Sequence, residues 1–127
     1  MLGHAVEKVR VLVANRPRLM RELVLATISD QPDIEVIGEI NDDSEIARVV
    51  EESRPDFVII ALDIPDQRPS LCDDLLGQNP TMKILALAPE CNRSTFFWCV
   101  PQICCAQIES SEEGILNALR GQARLIG

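Results

Sequence analysis

Phe57-Val58-Ile59-Ile60-Ala61-Leu62 decides the fold. Six consecutive apolar residues, three of them β-branched and none separated by a polar one, make a strand buried on both faces. Strands of that kind belong to parallel sheets covered by helices on each side. Working outward, Val9 to Ala14 and Lys83 to Ala88 have the same character, and Ile103-Cys104-Cys105-Ala106 is a shorter version of it. Ile34 to Ile40 alternates loosely and ends at a polar cluster, which suggests a second strand.

Between these runs the period changes from two to that of a helix. Leu19, Met20, Leu23, Val24 and Ile28 fall on one face of a predicted helix, with Pro17 at its first turn and Asp30-Gln31-Pro32-Asp33 breaking it. Asp42, Asp43 and Ser44 are N-cap candidates for a second helix carrying Ile46, Ala47, Val49 and Val50, which stops before Pro55. Ile64 to Pro69 is a loop, after which Ser70 caps a third helix with Leu71, Leu75 and Leu76 that ends near Gly77. Asn92 to Trp98 is assigned to a short fourth helix. Ser110 with Glu113 has capping-box spacing for a last helix bearing Ile115, Leu116, Ala118 and Leu119. Five strands alternating with five helices predict an α/β, doubly wound, five-stranded parallel sheet with right-handed crossovers.

The bulk numbers agree with one such domain. The chain has 127 residues, 46% hydrophobic and 25% charged. It is expected to form a single unit over residues 1–127 with a core from about residue 9 to residue 120. A formal net charge of −8 argues against nonspecific binding to nucleic acid or anionic membranes. No apolar run reaches the roughly 20 residues that span a bilayer. Met1 to Arg10 lacks the apolar segment of a secretory signal. The expected compartment is the cytoplasm. There Cys72, Cys91, Cys99, Cys104 and Cys105, odd in number and without Cys-x2-Cys spacing, read as buried thiols and not as a disulfide framework or zinc site. His4, ahead of the first strand, reads as an idle surface residue, and Asp73 and Asp74 as a solvated helix face.

In a doubly wound sheet, ligands bind beyond the carboxyl ends of the strands, where the strand order reverses. Those ends carry Asn15 and Arg16 after strand one, Ala61 to Asp63 after strand three, Ala88 after strand four and Gln107 after strand five. One carboxylate, amides, a guanidinium and two methyl groups make a set poor in chemistry. No catalytic residue and no metal-ligand set is expected among them.

Val9-Arg-Val-Leu-Val-Ala-Asn-Arg-Pro-Arg-Leu-Met-Arg-Glu-Leu-Val24, Ile34-Glu-Val-Ile-Gly-Glu39 and Arg54-Pro-Asp-Phe-Val-Ile-Ile-Ala-Leu-Asp-Ile-Pro65 resemble, in order and with natural spacing, the receiver domains of bacterial response regulators. The likeness is strongest to the NarL/FixJ type, runs from about Val9 to Arg120, and is weakest over Cys91 to Gln102. It implies a flavodoxin-like (βα)5 fold with strand order 2-1-3-4-5. It also implies a site that this sequence alters at each chemical position. Where the family places two acidic residues to hold Mg²⁺ stand Asn15 and Arg16. Its phosphoacceptor aspartate falls on Ala61, its Ser/Thr switch residue on Ala88 and its lysine on Gln107. Asp63, two residues past Ala61, is the nearest carboxylate.

These departures predict a pseudo-receiver: no enzyme, no cofactor, Mg²⁺ binding lost, and signalling through protein partners, a homodimer included. Arg16 is either a solvated loop charge or the partner of Asp63, standing where the metal would be. Phe96, Phe97 and Trp98 cannot all face inward on one helix, so this cluster is the candidate interaction surface, with helix four, strand five and helix five around it. Three other readings stand beside this one. The domain could be a phosphoacceptor using Asp63, the sensory half of a longer DNA-binding regulator, or a sensor of a small anion near Arg16. Nothing in the chain itself is expected to touch DNA or a membrane.

Overall fold

A computed structural model describes residues 8–62, 68–88, 93–99, 103–109 and 111–120, with backbone alone for 93–99, 103, 104 and 109. Its strands are β1 (Val9–Ala14), β2 (Ile34–Glu39), β3 (Phe57–Ala61), β4 (Lys83–Leu87), β5 (Arg93–Cys99) and β6 (Ile103–Glu109). Its helices are α1 (Arg18–Ser29), α2 (Ile46–Ser53), α3 (Ser70–Gln78) and α4 (Glu112–Leu119). They build one sheet in the order β2-β1-β3-β4-β5-β6.

The first four strands are parallel and wound as the sequence pattern predicts, with β1 paired to both β2 and β3, and β3 to β4. This is the flavodoxin-like part of the fold. Each face of the sheet carries its own core. Leu12, Val58, Ile60, Ile84 and Ala86 pack under Ile46 and Val50 of α2 and Cys72, Leu75 and Leu76 of α3. Val11, Val13, Ile59, Leu85 and Leu87 pack under Val24 and Ile28 of α1 and Ile115, Ala118 and Leu119 of α4. β3 is buried along its whole length, as its unbroken apolar run requires.

The far side of the sheet departs from the expected order. The stretch assigned to a fourth helix, with Phe96, Phe97 and Trp98, is strand β5, antiparallel to β4. The predicted fifth strand is β6, which pairs with β5 and not with β4. Two causes act together. Thr95-Phe96-Phe97-Trp98 is a run of residues that favour strands. The chain from Leu87 to Arg93 is also far shorter than the dozen or so residues a parallel crossover needs. A strand there has to run back. β6 then returns parallel to β4 but one strand further out.

Helix α1 turns its buried side one step from the expected face. Arg21, Val24 and Ile28 are buried, at spacing i, i+3, i+7, whereas Leu19 and Leu23 are 68% and 55% exposed. Three cap assignments resolve as follows. Asp42 caps the 3-10 turn Asp43–Glu45 ahead of α2, its Oδ1 accepting from the Ser44 N–H at 3.0 Å. Ser70 is the first helical residue of α3 and makes no cap; Pro69 precedes it with extended backbone. Ser111 caps α4, its Oγ accepting from the Gly114 N–H at 3.0 Å, and Ser110 lies outside the described residues.

Candidate functional site

The parallel register places the ends of the central strands side by side. Ala14 lies opposite Ile60, and Ala61 opposite Leu87, so Asn15 stands level with Ala61, and Ala88 one residue further on completes a staggered row at the carboxyl ends of β1, β3 and β4. All three are buried, Asn15 completely. Its side-chain amide has no hydrogen-bond partner at either atom among the described residues. Its backbone carbonyl accepts from Nη1 of Arg21 at 3.4 Å.

Arg16 sits on the rim. Its Nη2 lies 3.0 Å from Oδ2 of Asp43, and its Nε donates to Oδ1 of the same carboxylate at 3.3 Å. Both side chains are half exposed, so the pair is worth a fraction of a kcal/mol at most. It does tie the loop after β1 to the turn before α2. Asp63 lies outside the described residues.

Gln107 does not join this row. It is exposed on β6, opposite Thr95 of β5, which in turn lies opposite Ala86 of β4. The intervening strand therefore separates it from the ends of β1 and β3, and it stands two residues short of the level of Ala88. Phe96, Phe97 and Trp98 lie in register with Leu85, Ile84 and Lys83. They belong to a sheet strand and not to a helical surface.

One residue escaped the sequence reading. Arg21 is 5% exposed and makes three polar contacts. Its Nε donates to Oε1 of Glu39 at 2.6 Å, its Nη2 to Oδ1 of Asn41 at 2.7 Å, and its Nη1 to the Asn15 carbonyl. The available signal was its place on the stripe Arg21-Val24-Ile28, where a charge interrupts an apolar face. A buried guanidinium needs several acceptors, and the ends of β1 and β2 supply them.

A hard divalent cation such as Mg²⁺ asks for near-octahedral oxygen ligands, one or two of them carboxylates. At the row Asn15, Ala61 and Ala88 the described residues offer an amide and two methyl groups, with a guanidinium on the rim. That set does not fit the ion. A cleft of about 500 Å³ lined by Arg54, Asp56, Asn79 and Met82 lies at the opposite, amino ends of the strands, which is the wrong end for a doubly wound ligand site.

No family model matches the chain. A protein-glutamate methylesterase/protein-glutamine glutaminase of group 3 operon from Bradyrhizobium diazoefficiens is 30% identical over 108 residues, 85% of this chain and 24% of that protein. A second methylesterase/glutaminase, from Koribacter versatilis, is 32% identical over 94 residues, 69% of this chain and 25% of that protein. Among solved structures, the response regulator domain of Thermotoga maritima CheB aligns with a TM-score of 0.54 at 23% identity, over 65% of this chain and 61% of that one. The signal receiver domain of NarL from Mycobacterium tuberculosis aligns with a TM-score of 0.57 at 22% identity, over 67% and 69%. The chain has the fold of response-regulator receiver domains. The chain spans about a quarter of the length of the methylesterase relatives it matches, and the activity in their names is theirs. No helix among its described residues is long and apolar enough to cross a membrane.

Proposed function

We propose that the domain is a pseudo-receiver, which passes on a signal in the cytoplasm by binding protein partners and not by accepting a phosphoryl group. One observation carries this reading. β3 ends in Ala61, a buried methyl group, at the position where the resembled family places its phosphoacceptor. Transfer from a phosphorylated donor needs a nucleophile in line with the leaving group and a cation to neutralise the developing charge. Asn15, Ala61 and Ala88 provide no nucleophile and no metal-binding carboxylate, and the one positive charge nearby, Arg16, is ion-paired to Asp43. The experiment is incubation with acetyl phosphate and Mg²⁺ followed by intact-mass measurement. The unmodified mass is expected. A phosphoryl adduct that disappears in Asp63→Asn overturns the reading and makes the domain a phosphoacceptor.

Without phosphorylation, any bias between two conformations has to come from a partner that binds one of them better. Such contacts, self-association included, are assigned to the β5–β6 end of the sheet, which carries Phe96, Phe97 and Trp98. Light scattering at micromolar concentration, with wild type and Phe97→Ser compared, tests this. A strictly monomeric wild type that retains no partner counts against it. The relatives that hold this stretch as about a quarter of their length favour a second reading beside it, in which the domain is the regulatory part of a longer effector protein. The length of its reading frame decides that.

A further inference from the structure

Among the described residues the sheet has two open edges, and they are built differently. β2 is one of them. It carries Glu35 and Glu39, holds Gly38 in its interior and bulges at Ile37, since Val11 lies opposite Val36 and Leu12 opposite Gly38. Charges, an interior glycine and a bulge are devices that keep an edge strand from pairing with another chain. β6 is the other edge, and among the described residues no strand pairs with its far side. Its seven residues run in unbroken register with β5, and from Ile103 to Ile108 they include no charge, glycine or proline. They end the stretch Ser94 to Ile108, the longest uncharged run in a chain of net charge −8. Ala106 is buried and Ile108 packs on the core beneath α4, so one face holds the strand in place. Cys105 and Gln107, on the other face, are exposed.

We infer that β6 pairs antiparallel with β6 of a second copy of this chain, joining two six-stranded sheets into one. The outward N–H and C=O groups of two identical strands are complementary about a two-fold axis, and main-chain bonds of this kind give affinity without side-chain pockets. Charge selects the edge. Two copies that each carry −8 repel one another, and β6 is the edge where contact brings no like charges together, whereas a β2 pair would set Glu35 and Glu39 of one copy against those of the other. The pairing also closes. It consumes both β6 edges and leaves only the guarded β2 edges outward, so assembly stops at two. An axis near Ala106, the middle of the strand, pairs the most residues and makes the two Cys105 residues diagonal neighbours on one face. The inference rests on the reading that partners bind at the β5–β6 end, and names the second copy and the edge that binds it.

The experiment is sedimentation velocity of the full chain from micromolar to submillimolar concentration, with wild type, Cys105→Thr and Cys105→Lys compared. Wild type is expected to pass from monomer to dimer. Cys105→Thr, uncharged and favourable in a strand, keeps the dimer. Cys105→Lys sets like charges diagonally across the axis and is expected to weaken the dimer at least about tenfold, although it brings the net charge closer to zero. Hydrogen exchange followed amide by amide by NMR reads the geometry. On dimerisation alternate amides of β6 are expected to slow, and those of β2 to stay unchanged. A chain that stays monomeric overturns the inference. So do assemblies that grow beyond two, a dimer whose β6 amides exchange as in the monomer, and a Cys105→Lys that folds and dimerises like wild type. If Cys105→Lys does not fold, the exchange pattern of wild type decides alone. A dimer that is split by Phe97→Ser while its β6 amides stay unprotected overturns the edge pairing and keeps the reading of β5–β6 contacts. The acetyl phosphate result is independent of all of these.

Discussion

Arg120, at the end of α4, grips Asp33, just ahead of β2, with both prongs of its guanidinium: Nε to Oδ2 at 2.7 Å and Nη2 to Oδ1 at 3.0 Å, with Nη2 also reaching Oε1 of Gln31 at 2.7 Å. The contact fastens the last helix to the α1–β2 turn across 87 residues of sequence. Bidentate geometry makes it one of the surface pairs worth testing. The hydrogen bonds from Arg120 hold the Asp33 carboxyl below its ordinary value of 3.8. A carboxyl lowered in the folded state adds stability above its unfolded pKa and loses it as pH falls through the folded one. The urea midpoint of wild type is therefore expected to drop more steeply than that of Asp33→Asn on acidification from about pH 5 to about pH 2. High salt should shrink the difference, because both partners are partly exposed. Parallel acid profiles for the two proteins would remove this pair from the account of stability.

The turn out of α2 stores strain. Arg54 closes the helix with φ 48° and ψ 64°, the left-handed region that a residue with a Cβ occupies at a cost of about 1–2 kcal/mol. Its backbone carbonyl accepts from Nη1 of Arg10 at 2.9 Å, and its N–H donates to the Val50 carbonyl at 2.8 Å. Both bonds survive removal of the side chain. Glycine relieves the strain and gives back part of the gain as unfolded-state entropy. Arg54→Gly is expected to stabilise the domain by about 0.5–1 kcal/mol in urea unfolding. A lower midpoint would show that the Arg54 side chain contributes contacts that outweigh its backbone.

The residues of β1, β3 and β4 announced themselves, because buried parallel strands leave unbroken apolar runs such as Phe57 to Leu62. The row Asn15, Ala61 and Ala88 followed from them, since register alone fixes which residues stand at the strand ends. Two features were not legible for definite reasons. Phe96-Phe97-Trp98 has an apolar content that a short helix or a strand satisfies equally well. What settles it is the length of the connection back from β4, a tertiary constraint that local pattern does not express. Arg21 was not legible because a buried arginine is defined by acceptors elsewhere in the chain. Those acceptors, Glu39 and Asn41, lie 18 and 20 residues away.

The two cysteines whose side chains are described divide by environment. Cys72 is fully buried in α3, and burial, with Asp73 next to it, pushes its thiol up to about 12. Cys105 is exposed on β6. The thiolate is the reactive form. Iodoacetamide at about pH 8 is expected to label Cys105 in the folded domain and to spare Cys72 until urea unfolds it. Peptide mapping by mass spectrometry reads both sites at once. Labelling of Cys72 at the rate of Cys105 without denaturant would mean that α3 opens readily from the sheet.

Asn15 offers the sharpest measure of how far the strand ends have drifted from polar chemistry. Its amide is buried completely and has no partner at Nδ2 or Oδ1 among the described residues. An unpartnered polar group of this kind costs about 1–3 kcal/mol relative to an apolar group of similar shape. Leucine has the same branching and number of side-chain heavy atoms, with two methyl groups somewhat larger than the amide's oxygen and nitrogen. The carbonyl that Arg21 uses belongs to the backbone, so the substitution leaves that bond in place. Asn15→Leu is accordingly expected to raise stability by about 1 kcal/mol in urea unfolding. Asn15→Asp is expected to lower it, more at neutral pH than in acid, because a carboxylate there is desolvated and the folded-state pKa rises. For a raised carboxyl pKa the penalty is absent below the unfolded value and grows as pH climbs through and beyond it. If Asn15→Leu is instead destabilising while Asn15→Asp is tolerated, the amide has a polar companion in solution, and the end of β1 still holds a binding site.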